Sequence, residues 1–523
     1  MKPADFTVAV IGVGVAGLVT LKNLLEEGFN AQAFEGRDTI GGVWKFTDGD
    51  DHSVLESTVS NKSRYKNSFT DFPYPKDAPA FPTAPQVQEY LEAYAKSFDL
   101  LPHIHLQTRA TLVKRNEADT KWAVYLHNPD GSETVVEFDK VVICRGEWGI
   151  PKMPAVEGRD IFEGKVIHSK AFKRPSDFAG KRVVVLGLGC TAADVATSLV
   201  GHASTIHIAH RRGANLLPRF IDGKPGDLAL TRRLIDIKYG LSAVSPALSE
   251  KFFNTVIQSL TNKAFSLKKE WAIHPPPSFL THQPTVSDNL ASCLSDGTII
   301  STPNIARFTG PSTVQFVDGT AVEADVVICC TGFTRDFSLV PALQPKVADA
   351  WSKLPNSDKQ SLPRLFQNVF PVAHRDSIAF MNGFSYPTGF MWIADLASMA
   401  VAQVWKGTAA LPAPAAMNKA IDAHHAWLVG LAEKDTVASD LVHEQSWLQW
   451  MHDAAGTGIN ENLGYGTTGL WHWAREPRLT SMIMGGVESP FVLRLFEGKR
   501  KAWEGARQAI VDINEEARAK GHL

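Results

Sequence analysis

Residues 8–17 read Val8-Ala9-Val10-Ile11-Gly12-Val13-Gly14-Val15-Ala16-Gly17. An unbroken apolar run that stops at glycine is the pattern of a short strand buried on both faces. The glycines then open a helical pattern over Leu18–Glu27, which Gly28 closes, and a second strand over Ala31–Phe34 ends at Glu35. This is a strand–helix–strand unit of about thirty residues, the size of a nucleotide-binding half. Gly12 permits the tight turn, Gly14 lets backbone approach a pyrophosphate, and Gly17 packs helix closely on strand. Val15 and Ala16 lie at the positive end of that helix. Glu35 stands where a carboxylate would accept the hydroxyls of an adenosine ribose.

The same grammar returns at Arg182–Leu186, with a helix expected over Thr191–Val200 and a strand over Thr205–Ala209. Its turn is Gly187-x-Gly189-x-x-Ala192, with the alanine that this fingerprint tolerates. The following strand ends differently, in Ala209-His210-Arg211-Arg212-Gly213, with no acid. A guanidinium there can pair bidentately with a 2′-phosphate, although a solvated basic face is the plain alternative for Arg211 and Arg212. The pair of units therefore reads as one site for a cofactor with unmodified ribose hydroxyls and one for NADPH. Hydride relay from nicotinamide to flavin follows, with the cofactors carrying the chemistry and the protein supplying orientation.

The rest of the chain bounds this reading. It has 523 residues, 44% hydrophobic and 21% charged, with a formal net charge of −2. That charge leaves no basic excess for a phosphate backbone, so nucleic acid is a poor partner. The five cysteines are scattered and odd in number, which favours a reducing compartment over a disulfide framework. No stretch reaches the ~20 apolar residues that span a bilayer, so no membrane anchor and a cytoplasmic location are expected. Val135–Cys144 and Val322–Cys330 are strand-like runs, each followed by glycine (Gly146, Gly332), and both are expected to return to the first sheet. Asp71–Pro85 holds five prolines and reads as an ordered, non-helical loop. Glu497–Lys520 reads as one long amphipathic terminal helix.

Several stretches beyond the fingerprints resemble the flavin-containing monooxygenases. Phe34-Glu35-Gly36-Arg37-Asp38-Thr39-Ile40-Gly41-Gly42-Val43-Trp44 is similar to that family's acid followed by a GGxW element against FAD. Thr58-Val59-Ser60-Asn61-Lys62-Ser63, Phe162-x-Gly164-x-x-x-His168-x-x-x-Phe172 and Cys330-Thr331-Gly332-Phe333 also resemble family stretches. The last is similar to the family's second-glycine return to the FAD sheet. The resemblance runs from about residue 6 to about residue 515.

It implies a doubly wound α/β protein of two nested Rossmann-like domains. An FAD domain would cover 1–168 and 300–523, the latter with a C-terminal helical extension, and an NADPH domain would be inserted over 169–299. It also implies that NADPH-reduced FAD takes O₂ to form a C4a-hydroperoxide, which oxygenates a nitrogen or sulfur of a small organic substrate. Gly41, Gly42, Val43, Trp44, Ser60, Asn61 and Lys62 would line the flavin, with Asn61 as the catalytic amide. A neutral amide can donate to a peroxide or a carbonyl without delivering a strong acid. Thr191 and Asp194 fall on positions beside the NADP pyrophosphate, and His168 is either a conformational link or a plain buried histidine. A homodimer is compatible with the reading.

Rival chemistries have less support. Baeyer–Villiger oxygenation of ketones is the alternative outcome, and Gly146-x-Trp148-x-x-Pro151 is similar to part of that pattern. Phe172-Lys173, however, lacks the Trp-Pro or Trp-Asp ending typical there. A flavin disulfide reductase would need a cysteine pair spaced CxxC or CxxxxC, and the chain has neither, the adjacent Cys329 and Cys330 reading as small core residues; Gly-x-Ser-x-Gly is absent too. His103-x-His105 and His424-His425 lack a third ligand at usual spacing, so no metal is expected. A redox-dead scaffold would be expected to lose the fingerprint glycines, which this chain keeps. The nine tryptophans from Trp351 to Trp503 read mainly as core or interface packing.

Overall fold

The computed structural model describes residues 2–146, 149–345, 348–357, 359–381, 383–384 and 389–523. The nucleotide-type elements are, in chain order, β1 (Thr7–Ile11), α1 (Val15–Glu26), β2 (Asn30–Phe34), α2 (Ala84–Ser97), β3 (Ile104–His105), β4 (Lys140–Ile143), β5 (Lys165–His168), β6 (Arg182–Leu186), α3 (Cys190–Ser198), β7 (Thr205–His210), β8 (Ile300–Pro303), β9 (Val326–Cys329) and β10 (Ile378–Phe380). They form two five-stranded sheets, ordered β10-β4-β1-β2-β3 and β8-β7-β6-β9-β5. Both are parallel throughout. The doubly wound α/β architecture expected from the sequence is the one observed.

Burial on both faces explains the unbroken apolar strands. Val8 and Val10 of β1 face a core shared with α1 and the helix Phe390–Lys406. Ala9 and Ile11 face the opposite core, with Trp122 and Phe138. In β6, Val183 and Val185 pack with α3 while Val184 and Leu186 pack against Phe308 and Phe316. Successive side chains point to opposite faces, so a strand covered on both sides must be apolar at every position.

Each sheet is entered by its last central strand after a three-stranded antiparallel meander. The first meander is Arg109–Arg115, Trp122–His127 and Glu133–Phe138, ahead of β4. The second is Ile305–Phe308, Thr313–Phe316 and Ala321–Glu323, ahead of β9.

Four sequence expectations are corrected. Val326–Cys329 does not return to the first sheet: it pairs with β6 on one side and β5 on the other, in the second. The strand that completes the first sheet is Ile378–Phe380, beside β4. By sheet membership the second unit runs from Lys165 to Cys329, so the expected seams at 168/169 and 299/300 fall inside it. The terminal helix forms only over Ala506–Ala519. Residues 497–505, which include the poor helix formers Gly498 and Gly505, stay non-helical, and a Cβ on Gly498 would lie 2.0 Å from the Gly456 carbonyl oxygen. The proline-rich loop stays non-helical to Thr83, but Ala84 and Pro85 already begin α2, where proline's missing N–H costs nothing.

Candidate functional site

The two fingerprints form matching turns. Gly12 and Gly187 sit at φ of +96° and +130°, backbone that L side chains rarely adopt. A Cβ on Gly17 would fall 1.8 Å from the Gly12 carbonyl oxygen, so α1 can approach β1 this closely only with glycine there. Val15, Ala16 and Gly17 are buried in the first turn of α1. Gly14 and Gly189 are the N-caps of α1 and α3, and no side chain caps either helix. Uncapped N–H groups at the positive end of a helix are what a pyrophosphate needs, so the residues present fit dinucleotides at both turns.

The first cradle is closed by the Gly41–Gly42 turn, whose Gly42 backbone nearly touches Gly14. Gly42–Trp44 is a short 3₁₀ turn, half-buried. Gly41 N–H donates to the Val13 carbonyl at 2.9 Å, and Val43 accepts from Val54 N–H at 2.9 Å. Glu35 follows β2 and accepts from Val13 N–H at 2.8 Å and Arg37 N–H at 3.0 Å, one bond to each carboxylate oxygen. Each oxygen keeps a second lone pair for a further donor. Arg37, to which the sequence reading gave no role, donates to the Gly42 and Lys45 carbonyls and holds the turn.

The Ser60-Asn61-Lys62 loop is pinned from both units. From the first, Ser60 N–H donates to Pro82 and Ala84 N–H to Thr58, at the head of α2, whose Gln88 also reaches Ile40 beside the Gly41 turn. From the second, Arg219 donates to the Val59 and Ser60 carbonyls and to Asn61 Oδ1, and Asp227 accepts from Ser63 N–H. Burial pulls the Lys62 ammonium pKa down, opposed by nearby Asp227.

Ala192 is buried in α3 and Thr191 is exposed at its start. Burial pushes the Asp194 carboxyl up to about 6, with Arg219 opposing and Asp288 adding to the rise. A carboxyl raised in the folded state costs stability once ionised. Asp194→Asn should therefore raise the thermal midpoint at pH 7.5 and leave it unchanged at pH 4, with the gain growing between about pH 4 and pH 6. A gain independent of pH would show that Asp194 titrates normally.

Arg211 and Arg212 lie at the end of β7 as expected, and both are engaged. Arg211 donates to Thr436 Oγ1, and Arg212 pairs with the Asp435 carboxylate. Nothing in the sequence foretold that partner loop.

His168 is buried, its Nδ1 accepting from Lys170 N–H at 3.1 Å, which leaves Nε2 to donate to the Gly332 carbonyl at 2.9 Å. Both ring nitrogens are satisfied, and burial lowers its pKa. Trp351 and Trp447 are fully buried, Trp447 donating to the Gln367 carbonyl, in keeping with packing roles. Trp148 lies outside the described residues. Among the described residues no three or more His, Cys, Asp or Glu side chains gather as metal ligands, and no helix is long and apolar enough to cross a membrane.

A family model described as FMO-like, flavin-binding monooxygenase-like, matches residues 5–520. The chain is 42% identical to monooxygenase aurF of Gibberella zeae over 98% of each chain. It is 32% identical to flavin-containing monooxygenase 3 of Macaca mulatta, over 96% of this chain and 91% of that one. Among solved structures it is similar to the S-allyl-L-cysteine S-oxygenase from Allium sativum, with a TM-score of 0.64, 20% identity and 99% of each chain covered.

Proposed function

Because the chain belongs to the flavin-binding monooxygenase-like family, we propose that it uses FAD and NADPH to place one oxygen atom of O₂ on a nitrogen or sulfur of a small organic substrate. The reaction consumes substrate, O₂, NADPH and a proton, and yields the N- or S-oxide, NADP⁺ and water. Bound FAD, once reduced, would supply the oxygen activation as its C4a-hydroperoxide. The protein's own residues bind, orient and exclude water.

In this reading the α1 N-terminus takes the FAD pyrophosphate, Glu35 takes its ribose hydroxyls, and Gly41–Trp44 closes over it. The α3 N-terminus takes the NADP pyrophosphate, with Thr191, Ala192 and Asp194 beside it, and Arg211 and Arg212 take the 2′-phosphate. The observation that carries the reading is the Asn61 loop, which bonds to α2 of the first unit and to Arg219 and Asp227 of the second. An amide at that junction can donate to a reacting oxygen without acidifying it. The S-oxygenase from Allium sativum, similar over its whole length, supports sulfur as an acceptor.

The test is coupling. Wild-type enzyme supplied with NADPH, O₂ and a tertiary amine or thioether should yield oxide in near-stoichiometric ratio to NADPH. Asn61→Ala and Asn61→Asp should keep FAD bound while H₂O₂ released per NADPH rises about tenfold, the scale of one lost hydrogen bond. Unchanged coupling would remove Asn61 from the mechanism. An ester or lactone formed from a ketone, with amines and thioethers untouched, would assign the Baeyer–Villiger outcome instead.

A further inference from the structure

Arg219 is the most heavily engaged cation at the contact between the two units. Its side chain is 8% exposed, and its guanidinium bonds four separate acceptors. Nε donates to the Ser60 carbonyl at 3.0 Å. One terminal nitrogen donates both to the Val59 carbonyl at 2.8 Å and to Asn61 Oδ1 at 3.1 Å. The other donates to Asp288 Oδ2 at 2.8 Å, while Arg219's own backbone N–H takes Asp288 Oδ1 at 2.8 Å.

Local structure explains the pairing. Leu216–Leu217 lies parallel to Thr285–Val286, so Arg219 and Asp288 emerge two residues beyond each strand, side by side. The carboxylate neutralises a guanidinium that would otherwise be costly to bury.

A guanidinium has donors and no acceptor, so the Asn61 atom facing it must be the amide oxygen. The other half of that amide, Nδ2, carries two donors, and among the described residues nothing accepts from it. We propose that Arg219 is the positioning residue of Asn61: by taking Oδ1 and the two preceding carbonyls, it fixes the amide with its NH₂ side available to the cofactors. It also ties the loop to the NADP-binding unit. A lysine offers a point charge that can meet one of these acceptors well, but it has no planar arrangement to span three. Asp227, bonded to Ser63 N–H at 2.7 Å, is a second staple between the same segments. Displacement of the second unit would therefore move the Asn61 amide with it.

The inference rests on the proposed oxygenation for its consequence, but the tether itself can be read without turnover. In oxidised holoenzyme, Arg219→Met should raise hydrogen–deuterium exchange of residues 58–64 at least about tenfold, with FAD content unchanged. In turnover, H₂O₂ per NADPH should rise by about the factor seen for Asn61→Ala. In the Asn61→Ala background the same substitution should add less than about twofold, because both act on one amide. If Arg219→Met fails to fold, Arg219→Lys keeps the charge beside Asp288; it should still loosen 58–64 and uncouple, at near-wild-type thermal midpoint.

Independent, multiplying effects in the double variant would overturn the positioning role, and so would full recovery of coupling by lysine. Unchanged exchange in 58–64 would overturn the tether. A wild-type enzyme that only reduces O₂ to H₂O₂ would instead defeat the proposed function, and the exchange result would still decide whether Arg219 holds the loop.

Discussion

Arg494→Leu should destabilise the protein by about 3–5 kcal/mol, the usual cost of removing one partner from a buried ionic network. Arg494 is 2% exposed and donates to Glu26 at 2.9 Å, to Asn23 Oδ1 at 2.6 Å and to Thr70 Oγ1 at 3.2 Å. Asp71 lies 3.5 Å away and Asp395 4.0 Å away. Asp395 is wholly buried, accepting from Asn23, from Thr70 N–H and from the Thr70 hydroxyl. Without the guanidinium, Glu26, Asp71 and Asp395 would share Lys22, which already pairs with the first two. Burial and Asp71 already raise the Asp395 carboxyl, and Arg494 opposes that rise.

In the variant the Asp395 carboxyl, already raised, loses that opposition and climbs further above its unfolded value. The deficit should therefore be largest at pH 7–8 and shrink as pH falls toward 5. Urea midpoints at the two pH values measure this, and a deficit that is equal at both would mean the loss is packing alone. Arg494→Lys, which keeps the charge without the planar donors, should lose less. The functional link is α1. Asn23 and Glu26 lie on it, so the network anchors the segment around Arg494 and the helix Phe390–Lys406 to the same helix whose N-terminus forms the first cradle.

What the sequence disclosed was what local pattern determines. The two strand–turn–helix–strand units were legible because each function of the glycines is short-range: a positive φ at Gly12 and at Gly187, and a close approach at Gly17. Partner choice among strands was not legible. Val326–Cys329 carries the same apolar run and trailing glycine that a strand of either sheet would carry, and its neighbours are set by residues more than 100 positions away. The true closing strand, Ile378–Phe380, spans three residues, too short for any period to register. The Asn61 loop was found through its flanking residues, but its holders were not. Arg219 sits between two-residue strands, and its partners lie 69 positions later at Asp288 and about 160 earlier at Val59–Asn61. A charged residue whose role is tertiary leaves no periodic mark.

Arg211→Ala combined with Arg212→Ala should raise the KM for NADPH by about 100-fold and that for NADH by less than about threefold. A hydrogen bond to a charged group contributes about 1.5–3 kcal/mol, and the lower figure is already roughly tenfold for each guanidinium lost. NADH lacks the 2′-phosphate and so makes no use of the pair. In the structure Arg212 bonds the Asp435 carboxylate and Arg211 the Thr436 hydroxyl, so a 2′-phosphate bound there would have to compete with an acid already in place. Burial lowers the Arg212 pKa, and the Asp435 carboxylate opposes that shift.

Two consequences separate recognition from mere solvation. Asp435→Asn should lower the NADPH KM several-fold, because the amide keeps the shape of the carboxylate and loses its charge. Added salt should weaken NADPH binding more than NADH binding, since the two share the pyrophosphate contact and only NADPH adds the screened 2′-phosphate pairing. Equal losses for both cofactors in the arginine variants would leave Arg211 and Arg212 as a basic face held by Asp435 and Thr436. The preference for NADPH would then have to come from elsewhere in the second unit.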